Sequence, residues 1–185
     1  VNNQEKATKT TVESQEIQKN ETTEANSRLN VAKQALSSGD YNKAIEESTI
    51  AINANANNAE AYSIRGFATA LNGDTAKGLV DTKQAYDLDP NNVANYYNMA
   101  MVYKLQGQLQ ESKRWFEKVL EKDPSNTWSV YGIATIYADQ GDDTKALDWL
   151  EKAINIDASV KAIAAEQDHF ERFHNNERFK QLVDL

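Results

Sequence analysis

Four glycines recur at one constant interval along this chain of 185 residues. They are separated by 34 residues in each case, and they are Gly39, Gly73, Gly107 and Gly141. Self-similarity at one fixed period is the signature of a repeat architecture, in which each unit buries its apolar face only against its neighbours. The spacing therefore predicts a stack of similar units.

The unit at residues 93–126 states the pattern most completely. Tyr96, Met99 and Tyr103 follow the spacing of three and four residues that lines one face of a helix. After Gly107 a second such stripe begins, formed by Leu109, Ser112, Trp115, Phe116, Val119 and Leu120. Pro124 disfavours further helix, and Gly107 can take the left-handed conformation that ends the first helix. Each unit is therefore predicted to be an antiparallel helix pair, helix A followed by helix B.

One position of helix A holds a small residue in every unit. It is occupied by Ala32, Gly66, Ala100 and Ala134. A small residue at one register of each pair lets the facing helix approach to the short end of the ~8–10 Å range of interaxial distances. Packing explains this position without any chemical role.

Short polar residues precede the predicted helices at matching registers. Asn58, Asn92 and Asn126 precede helix A, and the residues after the turn glycines include Asp40, Asp74 and Asp142. Asn and Asp side chains cap the free amides at helix starts, and a carboxylate also favours the positive end of the helix dipole. We interpret both sets as caps.

The repeated residues resemble the tetratricopeptide repeat family. Its pattern W-x2-L-G-x2-Y, A-x3-F and P is similar to Tyr96-x2-Met99-Ala100-x2-Tyr103, Ser112-x3-Phe116 and Pro124. The fourth unit matches at Ala134, Tyr137, Ala146, Leu150 and Ala153. The resemblance implies an all-α, right-handed superhelical solenoid of antiparallel helix pairs. It also implies a concave groove, lined by the A helices, that binds peptides or partner proteins.

The predicted organisation has three parts. Residues 1–24 form a polar N-terminal tail or linker, and residues 161–185 form two capping helices, at Lys161 to Phe173 and Glu177 to Leu185. The four repeats between them are residues 25–58, 59–92, 93–126 and 127–160. A cap is expected because the last repeat must cover an exposed apolar face.

The tail is rich in Asn, Gln, Thr, Glu and Lys. Such a composition cannot bury enough apolar surface to offset the entropy of ordering, although Val12 and Ile17 could seed a short helix that caps the first repeat. A polar tail that starts at Val1 resembles the spacer after a removed signal or anchor in exported bacterial repeat proteins. We favour that localisation, and the alternative is cytoplasmic.

Charge and composition limit the partners. A net charge of −8 and a pI near 4.8 argue against nucleic acid, whose binding depends on basic residues, and against an anionic membrane surface. The longest apolar runs are far below the ~20 residues of a membrane span, so no membrane insertion by this segment is expected. The chain has no cysteine, which excludes disulfides and thiolate chemistry.

The resemblance also assigns residues to the concave groove by their register. The predicted groove residues are Lys33, Ser63, Phe67, Tyr97, Asn98, Met101, Lys104, Trp128, Tyr131 and Thr135, and the same register includes Leu105 and Asp139. The aromatic members suggest a continuous apolar path for an extended or helical segment, since aromatic anchors carry much of the energy at interfaces. The alternative is that some of these side chains pack between repeats or beneath the C-terminal helices.

No motif indicates an enzyme, a cofactor or a metal site. There is no glycine-rich phosphate loop and no nucleophile elbow. His169 and His174 are five residues apart, not the four that place two ligands on one helical face. The residues of the family's two-carboxylate clamp for chaperone C-termini are mostly missing, so we reject that subtype. The sequence predicts a non-enzymatic adaptor, and the alternative is a structural solenoid that forms homo-oligomers through its edge or cap.

Overall fold

The structure is a computed structural model that describes the backbone of residues 3–185 and the side chains of residues 6–185. All the regular elements in this range are helices. They are α1 (Asn3–Ser37), α2 (Tyr41–Ala54), α3 (Ala59–Leu71), α4 (Thr75–Leu88), α5 (Val93–Leu105), α6 (Leu109–Lys122), α7 (Thr127–Asp139), α8 (Asp143–Ile156), α9 (Val160–Glu166), a 3₁₀ helix (Asp168–Phe173) and α10 (Glu177–Val183). Within the described range, no helix is both long and apolar enough to traverse a lipid bilayer.

The predicted all-α fold of packed helix pairs is confirmed. The four turn glycines all adopt positive φ angles, from 76° to 106°, which is the left-handed conformation that glycine adopts without steric cost. The predicted caps are also confirmed, because the three asparagines and three aspartates accept hydrogen bonds from amides in the first turns of their helices. Local sequence signals therefore set the ends of most helices.

The chain divides into two compact units, Val1–Asn91 and Asn92–Leu185. In the first unit, one apolar cluster joins Leu29, Ile52 and Ile64, and another forms around Ala44 and Ala68. In the second unit, the two clusters are richer in aromatic residues. Their largest fully buried members are Phe116, Phe170, Phe173, Phe179, Ile133, Ile136 and Leu150.

The N-terminal segment differs from the prediction. Helix α1 begins at Asn3 and continues into the first repeat, so the segment is helical and not an irregular tail. Its side chains from residue 6 to residue 24 are nevertheless exposed. The suggestion that Val12 and Ile17 cap the first repeat is wrong, because these side chains are 48% and 58% exposed. Composition correctly indicated that the segment has little to bury, but it did not exclude a solvated helix.

The C-terminal segment also differs in detail. The first of the two predicted helices is interrupted at Gln167, whose backbone is extended with ψ 136°. The chain forms α9 before this residue and the 3₁₀ helix after it. Phe170, Phe173 and Phe179 are fully buried in the same cluster as Leu150 of α8. We call residues 160–185 the C-terminal cap, because they cover the apolar faces of α7 and α8.

Candidate functional site

A cavity of about 500 Å³ lies in the second unit between α5, α7 and the C-terminal cap. We call it the α5–α7 pocket. Helix α5 contributes Tyr97, Met101, Lys104 and Leu105; helix α7 contributes Trp128, Tyr131, Gly132, Thr135 and Asp139; the cap contributes Ile163, Gln167 and His169. This volume falls in the range of sites that hold small ligands or a few side chains of a partner.

One end of the pocket is aromatic. The rings of Trp128 and Tyr131 meet edge to face, with centroids 5.9 Å apart and an interplanar angle of 87°. Trp128 is 42% exposed, whereas Tyr131 is only 8% exposed. Tyr131 also packs against Phe170 of the cap, with ring centroids 6.0 Å apart. An exposed indole beside a buried phenol forms an apolar surface that a partner side chain can contact.

The floor of the pocket depends on a close approach at Gly132. A Cβ atom at this position would lie 2.5 Å from the ring of Phe116. Any residue other than glycine would therefore clash with the ring in its present position. Phe116 in turn contacts Tyr97 in an edge arrangement, with centroids 5.8 Å apart. Burial raises the pKa of Tyr97 above its usual range, so this phenol stays neutral. The floor is therefore fixed by packing.

Lys104 supplies a positive charge inside the pocket. Its Nζ donates a hydrogen bond of 2.5 Å to Thr135 Oγ1, and Thr135 donates to the carbonyl of Gly132 at 2.8 Å. Burial lowers the pKa of Lys104, and the negative charge of Asp139 partly opposes this shift. A lysine with a depressed pKa in a cleft is typical of functional sites, because removal from water favours the neutral amine.

Asp139 and His169 form a polar contact at the other end of the pocket. His169 Nδ1 lies 2.7 Å from Asp139 Oδ1, which links the cap to the last turn of α7. Arg172 strengthens the same link, since it donates to the carbonyl of Ala138 and pairs with Asp143. These contacts hold the cap in place as one wall of the pocket.

Six of the ten predicted groove residues line this pocket, namely Tyr97, Met101, Lys104, Trp128, Tyr131 and Thr135. Asn98 lies on α5 outside the lining. The other three belong to the first unit: Lys33 is exposed and paired with Glu60, Ser63 is buried, and Phe67 is half-buried. Their assignment to a groove, and the continuity of that groove, stay predictions.

Four lining residues were not predicted: Gly132, Ile163, Gln167 and His169. Three of them belong to the cap, where the repeat period that assigns groove registers no longer applies. His169 was considered only as a metal ligand, and here it contacts Asp139. His174 stacks on Phe179 with ring centroids 5.6 Å apart. Within residues 6–185, no cluster of three or more His, Asp or Glu side chains is arranged to hold a metal.

Residues 91–159 match the family model of the tetratricopeptide repeat. This part of the chain therefore contains tetratricopeptide repeats. This match spans α5 to α8, the two helix pairs that supply most of the pocket lining. No curated protein sequence matches the chain.

Several solved structures share the fold, and two of them, YrrB and the RPAP3 domain, are described as tetratricopeptide repeat proteins. MamA from Desulfovibrio magneticus RS-1 is 19% identical with a TM-score of 0.63, over 88% of this chain and 94% of MamA. YrrB, described as a repeat protein with an unusual peptide-binding site, is 16% identical with a TM-score of 0.57, over 85% of this chain and 81% of YrrB. The first repeat domain of RPAP3, bound to an HSP90 peptide, is 21% identical with a TM-score of 0.57, over 64% of this chain and 94% of that domain. At these identities the likeness establishes the fold.

Proposed function

We propose that this protein is a non-enzymatic interaction module that binds an apolar or aromatic segment of a partner protein in the α5–α7 pocket. The observation that carries the proposal is the exposed indole of Trp128 at the mouth of a cavity of about 500 Å³. Tryptophan is enriched among the residues that contribute most binding energy at interfaces, because its burial removes a large apolar area from water.

The polar groups of the pocket suit recognition. Lys104, Thr135 and Asp139 supply donors and acceptors at defined positions of an otherwise apolar cavity, as is usual in binding sites. YrrB and the RPAP3 domain are peptide-binding proteins of the same fold by their descriptions. This shared fold supports a peptide ligand for the present chain by analogy.

Photocrosslinking tests the proposal. A photoreactive benzoylphenylalanine is placed at position 128, and in a control protein at position 149, since Trp149 is a half-buried tryptophan of the same unit outside the pocket lining. We expect a partner segment to be captured through position 128 and not through position 149. The captured segment is then synthesised and its affinity measured by calorimetry.

The affinity measurement uses Trp128→Ala and Trp149→Ala as a matched pair. Loss of the Trp128 ring should weaken binding by about 10-fold or more, because such truncations at interface centres cost ~2 kcal/mol. Trp149→Ala should bind as the unmodified protein does. Equal binding by all three proteins would contradict the pocket assignment. Capture of a second copy of this chain would favour the alternative, a self-assembling solenoid.

A further inference from the structure

The ammonium of Lys104 forms no ion pair with any carboxylate of residues 6–185. Of the carboxylates that the structure describes, none forms an ion pair with its Nζ within 4.0 Å, and its hydrogen bond goes to the neutral hydroxyl of Thr135. Asp139, whose negative charge acts on Lys104, instead contacts His169 Nδ1 at 2.7 Å. A charge withdrawn from water is costly unless it is paired, so this site favours an incoming anion.

The hydroxyl of Tyr131 is a second donor without a partner. Its oxygen is buried and makes no hydrogen bond to any group in the described part of the chain, and the side chain lines the pocket. Buried polar atoms normally have a partner. The rings that surround this phenol, Trp128 and Phe170, offer no acceptor. A bound group with an acceptor oxygen would satisfy it.

The two donors lie on the same face of the pocket. Tyr131 and Thr135 are four residues apart on α7, so their side chains project from one face with Cβ atoms about 6 Å apart. Because the Lys104 ammonium is held on Thr135, it lies about one helical turn from the Tyr131 side chain. A carboxylate bound at Lys104 would therefore lie about one helical turn from the Tyr131 side chain.

The donors also lie within the pocket and not at its end. The lining of α7 extends from Thr135 back to Trp128 and onward to Asp139, which at 1.5 Å per residue is about 10 Å in one direction and 6 Å in the other. A bound peptide whose C-terminal carboxylate paired with Lys104 would leave the pocket empty on one side of Thr135. This placement suits the side chain of an internal residue better than a chain terminus.

We propose, on the basis of the function proposed above, that the bound segment carries an aspartate or glutamate next to its apolar residue. The acidic side chain accepts hydrogen bonds from Lys104 and Tyr131, while the apolar side chain packs on Trp128. The pocket thus selects an acidic-aromatic segment of a partner protein over a purely apolar one. Charge complementarity at Lys104 and the unpartnered phenol of Tyr131 carry the proposal.

Three small matched probes test this specificity on the full chain. They are N-acetyl-Phe-Glu-amide, N-acetyl-Phe-Gln-amide and N-acetyl-Gln-Phe with a free C-terminal carboxylate. Binding is followed by the NMR shift of the Trp128 indole N–H. We expect the Glu probe to bind about 10-fold more tightly than the Gln probe, which is the usual strength of a charge-assisted hydrogen bond. We also expect it to bind more tightly than the free-terminus probe.

Three variants identify the groups responsible. Lys104→Met should abolish the preference for the Glu probe and keep the affinity for the Gln probe. Tyr131→Phe should reduce the preference by a few-fold, because one of two donors is lost. Lys83→Met, at an exposed position of α4, should change nothing.

Each other outcome overturns the inference. Equal binding of the Glu and Gln probes would refute the acidic specificity and leave the apolar pocket of the proposed function standing. A preference for the free-terminus probe would show that a chain end, and not an internal acidic residue, occupies the site. No shift of the Trp128 resonance with any probe at millimolar concentration would count against both the specificity and the pocket.

Discussion

At the scale of single residues, Lys104 lowers the stability of the folded protein, so its presence is not explained by a role in folding. Burial lowers its pKa, so the folded protein holds this proton less tightly than the unfolded chain, whose lysines titrate near the ordinary value of 10.5. The charged amine therefore destabilises the folded state at neutral pH. Stability given up at one position is a common feature of binding sites.

We predict that Lys104→Met stabilises the protein at pH 7 by about 1 kcal/mol, since replacing a half-buried charge that has no carboxylate partner with an apolar side chain of similar shape is often favourable. The advantage should shrink as pH rises from the folded-state pKa of Lys104 towards 10.5, because the unfolded chain then releases the proton that the folded protein has already lost. Urea unfolding of both proteins at several pH values measures this difference. A destabilised variant, or a constant difference across alkaline pH, would contradict the assignment.

A second residue-scale prediction concerns the small position of the second repeat, residues 59–92. A Cβ atom at Gly66 would lie 2.7 Å from the backbone oxygen of Gly78 and 2.9 Å from Thr82 Cγ2. Gly66→Ala should lower the free energy of unfolding by about 1–3 kcal/mol through overpacking, despite the higher helix propensity of alanine. Ala76→Gly, at an exposed site of α4, provides the propensity reference. A stabilised Gly66→Ala protein would show that α3 and α4 can separate at no cost.

At the scale of elements, α1 is longer than its packing requires. Its side chains become partly buried only from Ala25 onward, and Leu29 is its first buried residue. Arg28 joins this part of α1 to α2 through Glu47, at 3.1 Å. The side chains of residues 6–24 are exposed, so these turns depend mainly on hydrogen bonds within the helix and on helix propensity, which are marginal in water.

We therefore predict that deleting residues 1–17 leaves the unfolding midpoint unchanged within error. The deletion retains Gln18, Glu21 and Thr22, which lie near Asn55 and Asn58. Helical circular dichroism should fall by no more than the removed segment contributes. Thermal unfolding of the two proteins measures both quantities, and a large drop in midpoint would show that something packs on this helix.

The C-terminal cap is the element that most affects the pocket. Phe170 is fully buried, and its ring lies between those of Tyr131 and Phe179 with centroid distances of 6.0 and 5.8 Å. It thereby couples the cap to a pocket residue.

Phe170→Ala should cost about 3–5 kcal/mol of stability, as is typical when a buried phenylalanine is truncated. It should also increase hydrogen exchange of α9 and shift the NMR signals of Tyr131. Leu185→Ala, at an exposed position, is the control and should have little effect. Unchanged exchange in α9 would indicate that the cap does not depend on this ring.

At the scale of the whole molecule, each compact unit has apolar clusters built from its own residues. The second unit contains the family match, the α5–α7 pocket and the cap. Repeat proteins are stabilised by nearest-neighbour contacts, so a terminal group of repeats can retain its structure with reduced stability.

We predict that residues 92–185 fold cooperatively as an isolated fragment and retain the NMR signals of Trp128 and Tyr131 in the intact protein. The difference between its unfolding temperature and that of the intact protein measures how much stability the first unit adds. Thermal unfolding by circular dichroism and comparison of NMR spectra measure this. A non-cooperative transition would show that the second unit requires the first.

The helix pairs, their turns and their caps could be predicted from the sequence, because each depends on a local or nearest-neighbour interaction. Gly107 needs a positive φ to end helix α5, and Asn126 needs only the first-turn amides of α7. Ala100 and its equivalents in the other repeats are small because the two helices of each repeat cross closely at this position. Most of the pocket lining on α5 and α7 belongs to the register that was predicted to face a groove, and that assignment stays a prediction.

The placement of the cap residues in the pocket and the burial of Tyr131 and Lys104 depend on the tertiary structure alone. The cap has no repeat period, so its break at Gln167 and the placement of Ile163 and His169 depend on packing against α7 and α8. The repeat register predicted that Tyr131 faces the groove. In the structure, Tyr131 packs against the ring of Phe170 in the cap, and its buried hydroxyl has no hydrogen-bond partner in the described part of the chain. The burial that lowers the pKa of Lys104 likewise depends on packing between helices that are distant in the chain. It could therefore not be predicted from a local sequence pattern.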